Sequence, residues 1–337
     1  MSRQRFLEAI ARRNTSGRPV YGTGTSIACQ DLMEASGAWF PQAHLDAEKM
    51  AALAITGYTV LGLEVVMPLF SVCHEAAAMG SQVNWGGPGA MPVCGKPIFH
   101  DEDDICIPHD LLARPGCAVP LAAIALLKKR LGDDAAVCGK VFGSWTQGYH
   151  YFGVENFLIG TLDDPDQTRR ILDRLVPVTL RFAQAQIDAG ADCLLLGDHA
   201  TRDLCSPAAY RDFLLPVHRR LAAEIKAPVI LHICGDTSDR VGMVAQTGLS
   251  CFHWDTKSGP PEKFRALAGP HLALMGGVSN FTLLRGTPDD VIAQTDAAVA
   301  GGIDVIGPEC AIPLATPLAN LRAITAGATA PESSPKA

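Results

Sequence analysis

The chain has 337 residues, 48% of them hydrophobic and 19% charged, with a formal net charge of −7. These proportions exclude a disordered chain, and an acidic balance without a basic stripe excludes non-specific nucleic-acid binding. No apolar run reaches the roughly 18 residues of a membrane span, and the basic start MSRQRFLEAIARRNTSGRP lacks the apolar stretch of a secretory leader, so a soluble, cytoplasmic protein is expected.

Short apolar runs ending in glycine or polar residues predict strands. The first two cover 19–23 and 65–69. Residues 70–135 are less regular, include GGPGAMPVCGKP, and are expected to form an excursion covering one end of the molecule. A third strand is predicted over 136–142, followed by a helix over 163–186 with acidic caps and proline in its first turn. Next come a strand over 193–197, a helix over 206–224 opening with Ser-Pro, and strands over 229–234, 251–254 and 272–276. A Thr-Pro start predicts a helix over 287–300, and a last strand follows over 305–307. Glycines at Ala189-Gly190, Thr247-Gly248 and Gly301-Gly302 end helices and feed directly into strands.

This is a strand–helix unit repeated about eight times, with strands apolar at consecutive positions, as in a parallel sheet buried on both faces. It predicts an α/β fold, a single (β/α)8 TIM barrel over residues 1–326. The tail 327–337 is expected to be disordered. An open doubly wound sheet is the alternative, but YGTGT after the first strand lacks the spacing of a dinucleotide-binding loop.

In a parallel barrel, functional groups stand at the C-terminal strand ends. Those positions hold Asp198 and His199 after the fourth strand, and His232 and Cys234 at the end of the fifth. His253 and Asp255 follow at the sixth, Ser279 and Asn280 at the seventh, and Glu309 and Cys310 at the eighth. Residues i and i+2 of a strand share a face, so His232 and Cys234 project together, and Cys310 stands across the barrel mouth. One imidazole and two thiolates form the ligand set of an open zinc site. On the residues alone, the same three side chains also read as core filler. The other cysteines, Cys138 and Cys193 among them, are expected to be small packing residues, with Cys205 unassigned.

At these positions LHICGDTSDRV and GPECAIPLATPLANLRAI resemble the zinc-dependent corrinoid methyltransferases of the uroporphyrinogen decarboxylase superfamily, nearest the methylcobamide:coenzyme M methyltransferases. RQRFLEAIARRNTSGRPVYG, PLFSVCHEAAAMGSQVNWG and GDHATRDLCSPAAYRDFLLPVHRRL extend the likeness over nearly the whole chain. The family's zinc signature, His-x-Cys, a long gap, then Cys, falls on His232, Cys234 and Cys310. The resemblance implies a barrel of the uroporphyrinogen decarboxylase type. It implies a Zn²⁺-held thiolate as nucleophile toward the methyl group of a corrinoid (methylcobalamin) co-substrate. Asp198, Asp236, Asp255 or Glu309 would orient His232 through its other ring nitrogen, although Asp236, before Thr237-Ser238, reads first as a capping residue, and Glu309 would alternatively fill the free zinc position. Asp198 and Glu309 are therefore the expected catalytic carboxylates, with Glu75, Asp255 and Asn280 facing the corrinoid. His199 and His253 are spare ligands or structural histidines, and Tyr21 and Trp145 line the cavity or the core.

Two departures stand out. There is no appended cobalamin-binding domain and no Asp-x-His-x-x-Gly, so the corrinoid would come as free cobalamin or on a separate corrinoid protein. After the seventh strand, Gly276-Gly277-Val278-Ser279-Asn280 replaces the family's Gly-Asn. The partners expected are thus a corrinoid carrier and a small thiol, with neither nucleic acid nor membrane; a homodimer is possible. The alternatives are a first-step methyltransferase demethylating a small donor onto a corrinoid protein, and uroporphyrinogen decarboxylase itself, for which no arginine stands in the loop after the first strand.

Overall fold

In a computed structural model that describes residues 2–14 and 16–326, eight parallel strands form the core. They are β1 (Val20–Tyr21), β2 (Val65–Val66), β3 (Ala136–Phe142), β4 (Cys193–Gly197), β5 (Val229–His232), β6 (Cys251–Trp254), β7 (Ala273–Val278) and β8 (Val305–Pro308). The hydrogen-bonded order runs β1, β8, β7, β6, β5, β4, β3, β2, with every neighbouring pair parallel. The ring closes between β1 and β2 through Glu64. Its N–H donates to the Tyr21 carbonyl (2.8 Å), and its carboxylate accepts from the Tyr21 N–H (3.2 Å) and from Arg5. This is the predicted barrel. The tail expected to be disordered lies outside the described residues. No helix among the described residues is long and apolar enough to cross a membrane.

Strands β3, β4 and β6 have the predicted bounds, because each is an unbroken apolar run whose residues are all buried. Strand β2 is shorter than expected. Beyond Cys138 its neighbour β3 bonds to side chains on that edge instead. Gln186 accepts from the Lys140 N–H and donates to its carbonyl (both 2.8 Å). Glu75 accepts from the Phe142 N–H (2.9 Å), and Thr179 and Gln147 donate to the Phe142 carbonyl.

The helix Pro165–Asp188 is capped by Asp164, and Pro288–Ala300 opens on a reciprocal Thr287–Asp290 capping box. The helix predicted over 206–224 has an internal wide turn, Tyr210–Leu214, between Pro207–Ala209 and Leu215–Glu224. Pro216 has no N–H to continue the ladder and its ring crowds the preceding turn, so the backbone widens there. The excursion is narrower than expected. A helix at Pro115–Leu131 packs on the helix Ala47–Thr59, leaving 70–114 as the insertion. That insertion carries the short helix His74–Met79 and a two-stranded antiparallel ribbon, Val83–Asn84 with Val93–Cys94. All eleven cysteines are free thiols; Cys138, Cys193 and Cys205 are buried, but Cys94 is half-buried and Cys106 exposed, so these two depart from the expected packing role.

Candidate metal centre

Strand β5 ends at His232, so Cys234 leaves the sheet and does not share a strand face with the histidine in the way the sequence suggested. The turn still brings them together. Gly235 adopts φ = 78°, and a Cβ there would stand 2.5 Å from Thr201 Oγ1, so the chain reverses tightly behind Cys234. The His232 Nε2 lies 3.1 Å from Cys234 Sγ and 3.3 Å from Cys310 Sγ, and the two sulfurs are 3.4 Å apart. Among the described residues this is the one group of three or more potential ligands gathered closely enough to hold an ion. Tetrahedral zinc with bonds of about 2.0–2.1 Å to nitrogen and 2.3 Å to sulfur needs donors roughly 3.5–3.8 Å apart. An outward shift of a few tenths of an ångström would admit the ion, and two thiolates with an imidazole suit its chemistry. Both cysteines are half-buried and His232 is buried.

The ring of His232 is fixed from behind. Its Nδ1–H donates to the His253 carbonyl (3.2 Å), which leaves the Nε2 lone pair directed at the sulfurs. None of Asp198, Asp236, Asp255 and Glu309 holds that position, which corrects the expectation of a carboxylate partner. A backbone carbonyl at the end of β6 reaches the ring first, because β5 and β6 pair with His232 opposite His253. The His253 ring lies over His232 (4.5 Å between centroids), and its Nε2 donates to the Pro308 carbonyl (2.8 Å). The contact between the two thiols polarises them. Cys234 is drawn below the ordinary thiol value by its hydrogen bond with Cys310, and Cys310 is pushed above it by the same contact.

The expected carboxylates are spent on the surrounding loops. Asp198 is fully buried; it accepts from the Thr146 N–H (2.8 Å) and hydroxyl (2.9 Å) and bonds His218 Nε2 (3.1 Å). A side chain at Gly143 would collide with it. Glu309 accepts from the Asn280 N–H (2.8 Å) and the Thr256 N–H (2.9 Å), and also from the Thr256 hydroxyl, so both its oxygens are engaged and neither fills a free zinc position. Asp255 accepts from the N–H groups of Gly235 and Lys257 (2.9 Å each), bracing the turn behind Cys234. Asn280 donates to the Ala311 carbonyl (2.8 Å), and its Oδ1 has no partner.

Glu75 is buried with Oε1 unpartnered, and burial pushes its carboxyl up to about 8. His199 packs edge-on to Phe142 and is pulled down to about 4 by burial. Neither His199 nor His253 joins the cluster. Asp236 caps the turn at Ser238 and pairs with Arg202. Trp145 is core, ringed by Tyr149, Phe157 and Phe213, and Tyr21 is buried at the barrel seam.

Lys140 was missed. It lies within β3 at 5% exposure, and its signal in the sequence was a single charge inside the apolar run AVCGKVF. It pairs in register with Leu195, whose side chain packs against Gly24 after β1, so both side chains point into the barrel.

A family model described as uroporphyrinogen decarboxylase (URO-D) matches residues 1–330. The methylated-thiol–coenzyme M methyltransferase of Methanosarcina mazei is 35% identical over 87% of this chain and 80% of its own length. The methylcobamide:CoM methyltransferase MtaA of Methanosarcina barkeri is 31% identical over 96% of each chain. Among solved structures, a methyltransferase from Methanosarcina mazei superposes with a TM-score of 0.93 at 30% identity, covering 96% of this chain and 97% of that one.

Proposed function

The chain belongs to the uroporphyrinogen decarboxylase family, and from that premise we propose that it is an enzyme transferring a methyl group between a corrinoid and a small thiol at a zinc site formed by His232, Cys234 and Cys310. The observation that carries this reading is the convergence of one imidazole and two thiols at a half-open barrel mouth. The names of the relatives, which specify methylcobamide, methylated thiols and coenzyme M, support the substrate classes. The co-substrate is methylcobalamin, free or on a separate corrinoid protein. A decarboxylase would have no use for two thiols and an imidazole in contact.

Bound zinc would supply the Lewis acidity that keeps a substrate thiol as its nucleophilic thiolate near neutral pH. The protein's part is placement. His232, Cys234 and Cys310 furnish three ligands and leave a fourth position for substrate. The His253 carbonyl holds the tautomer that frees Nε2. Asp255 fixes the turn behind Cys234, and Glu309 ties the loops after β6 and β7 to the strand end that carries Cys310. Asp198 and Glu309 are therefore proposed as positioning groups. Of the residues expected to face the corrinoid, Asn280 Oδ1 and Glu75 Oε1 are the polar atoms left to offer a substrate. Residues 1–326 are proposed to act as one barrel domain.

Metal analysis with a demethylation assay tests this reading. The purified protein should carry about one zinc per chain, as a three-ligand site implies. Cys310→Ala should lose the metal, and the intact protein should demethylate methylcobalamin when supplied with a thiol. Protein that takes up no zinc refutes the proposal.

A further inference from the structure

Lys140 is the buried cation that the metal-site reading leaves unexplained. Its Nζ donates to the Leu69 carbonyl (3.3 Å) and lies 5.2 Å from the centre of the Phe142 ring. An ammonium has three N–H donors, and a buried charge without a counter-charge is costly.

The titratable groups around it are His44, Cys73, His74, His199 after β4, Glu75, Cys138, and the Cys234–Cys310 pair; Cys73 is drawn below the ordinary thiol value chiefly by its hydrogen bond with Cys94. The histidines are held neutral by burial, and Glu75, pushed up to about 8, is mostly protonated at neutral pH. Asp198 lies nearby, but its carboxylate is already bonded to Thr146 and His218. Lys140 Nζ sits over the ring of Phe142, and Phe142 pairs in register through Gly197 with His232, so the ammonium reaches the layer of strand ends that carries the three candidate ligands. Burial pulls its own value down to about 8, so it remains charged at pH 7.

Charge counting shows where this cation matters. Loading zinc onto two protonated thiols releases two protons and leaves the local net charge unchanged, so a nearby lysine has little influence on that step. Binding a third thiol as thiolate releases one proton and makes the site one unit more negative. We propose that Lys140 is the built-in counter-cation for that third thiolate, a positioning residue that favours the ionised form of the substrate thiol at the metal. The inference rests on the zinc-thiolate reading above. It concerns the reacting sulfur, not the remainder of the substrate.

The test compares zinc-loaded wild-type protein with Lys140→Met, Lys140→Gln and Lys140→Arg. It measures zinc affinity by chelator competition and thiol binding by calorimetry at fixed pH, using uncharged 2-mercaptoethanol and then mercaptoacetate. The neutral variants should bind zinc within about threefold of wild type and bind 2-mercaptoethanol about tenfold more weakly. That loss corresponds to a shift of about one pKa unit in the bound thiol. Lys140→Arg should keep thiol binding. Wild-type protein without zinc affinity refutes the metal-site reading itself. Any of four results with zinc-binding wild type overturns the role of Lys140 alone: neutral variants that bind 2-mercaptoethanol as tightly as wild type; a loss confined to mercaptoacetate, which would mean that Lys140 reads the tail; an equal loss in Lys140→Arg; or failure of both neutral variants to hold zinc.

Discussion

Glu75 shows how burial sets a chemical state at the level of one residue. Its carboxyl sits at about 8 in the folded protein against about 4.3 when unfolded. Between those values the folded chain binds one more proton than the unfolded chain, so this group's contribution makes stability fall as pH rises through the window. Glu75→Gln locks in the neutral form and can still accept from the Phe142 N–H. Urea unfolding should find the variant within about 0.5 kcal/mol of wild type near pH 4, below the unfolded value. At pH 8 it should be more stable by over about 1 kcal/mol. A difference that does not change with pH would show that Glu75 ionises normally. The three residues of the candidate metal site stood out at this scale because identity and spacing carry ligand chemistry, and the structure gathers them. The partner of His232 was not legible, since a backbone carbonyl has no residue type of its own; only the register of β5 against β6 places His253 there. Lys140 was legible only as an anomaly, one charge in a buried strand.

Elements were legible where local pattern and tertiary demand agree. Strands β3, β4 and β6 are apolar runs bounded by polar or turn residues, and their ends fall as predicted. Strand β2 departs because its length depends on pairing across a gap, which no local pattern reports. The upper edge of β3 is sealed by side chains from elements distant in sequence, with Gln186 bonding both polar groups of the Lys140 backbone. Gln186→Ala would leave a buried N–H and a buried C=O without partners. At about 1–3 kcal/mol for each unsatisfied group, relieved in part by relaxation or entering water, the expected loss is about 2–4 kcal/mol in urea denaturation. A loss below about 0.5 kcal/mol would mean that the edge finds other partners. The wide turn before Pro216 was missed for a related reason: the pattern over 206–224 predicts one unbroken helix, and the surrounding packing decides whether a helix with an internal proline breaks or merely widens.

For the molecule as a whole, the repeated strand–helix unit gave a parallel sheet buried on both faces, and the count of about eight units together with the wrong spacing of YGTGT after the first strand favoured a barrel over an open doubly wound sheet. The size of the insertion was overestimated, since the irregular composition of 70–114 masked the ordinary wall helix that follows it. The two ends of the chain meet in the barrel wall: Val20 and Tyr21 in β1 pair with Val305 and Ile306 in β8. A chain cut after Gly301 would keep seven strands and lose both β8 and Cys310. It should show a broad, non-cooperative urea transition by circular dichroism; a sharp transition would mean that the sheet is stable without closing. During synthesis, β1 emerges first and waits with a raw edge until nearly the entire polypeptide has followed. The last strand to join the ring is also the one that leads to the second thiol, so a nascent chain cannot gather the three candidate ligands until its barrel is complete.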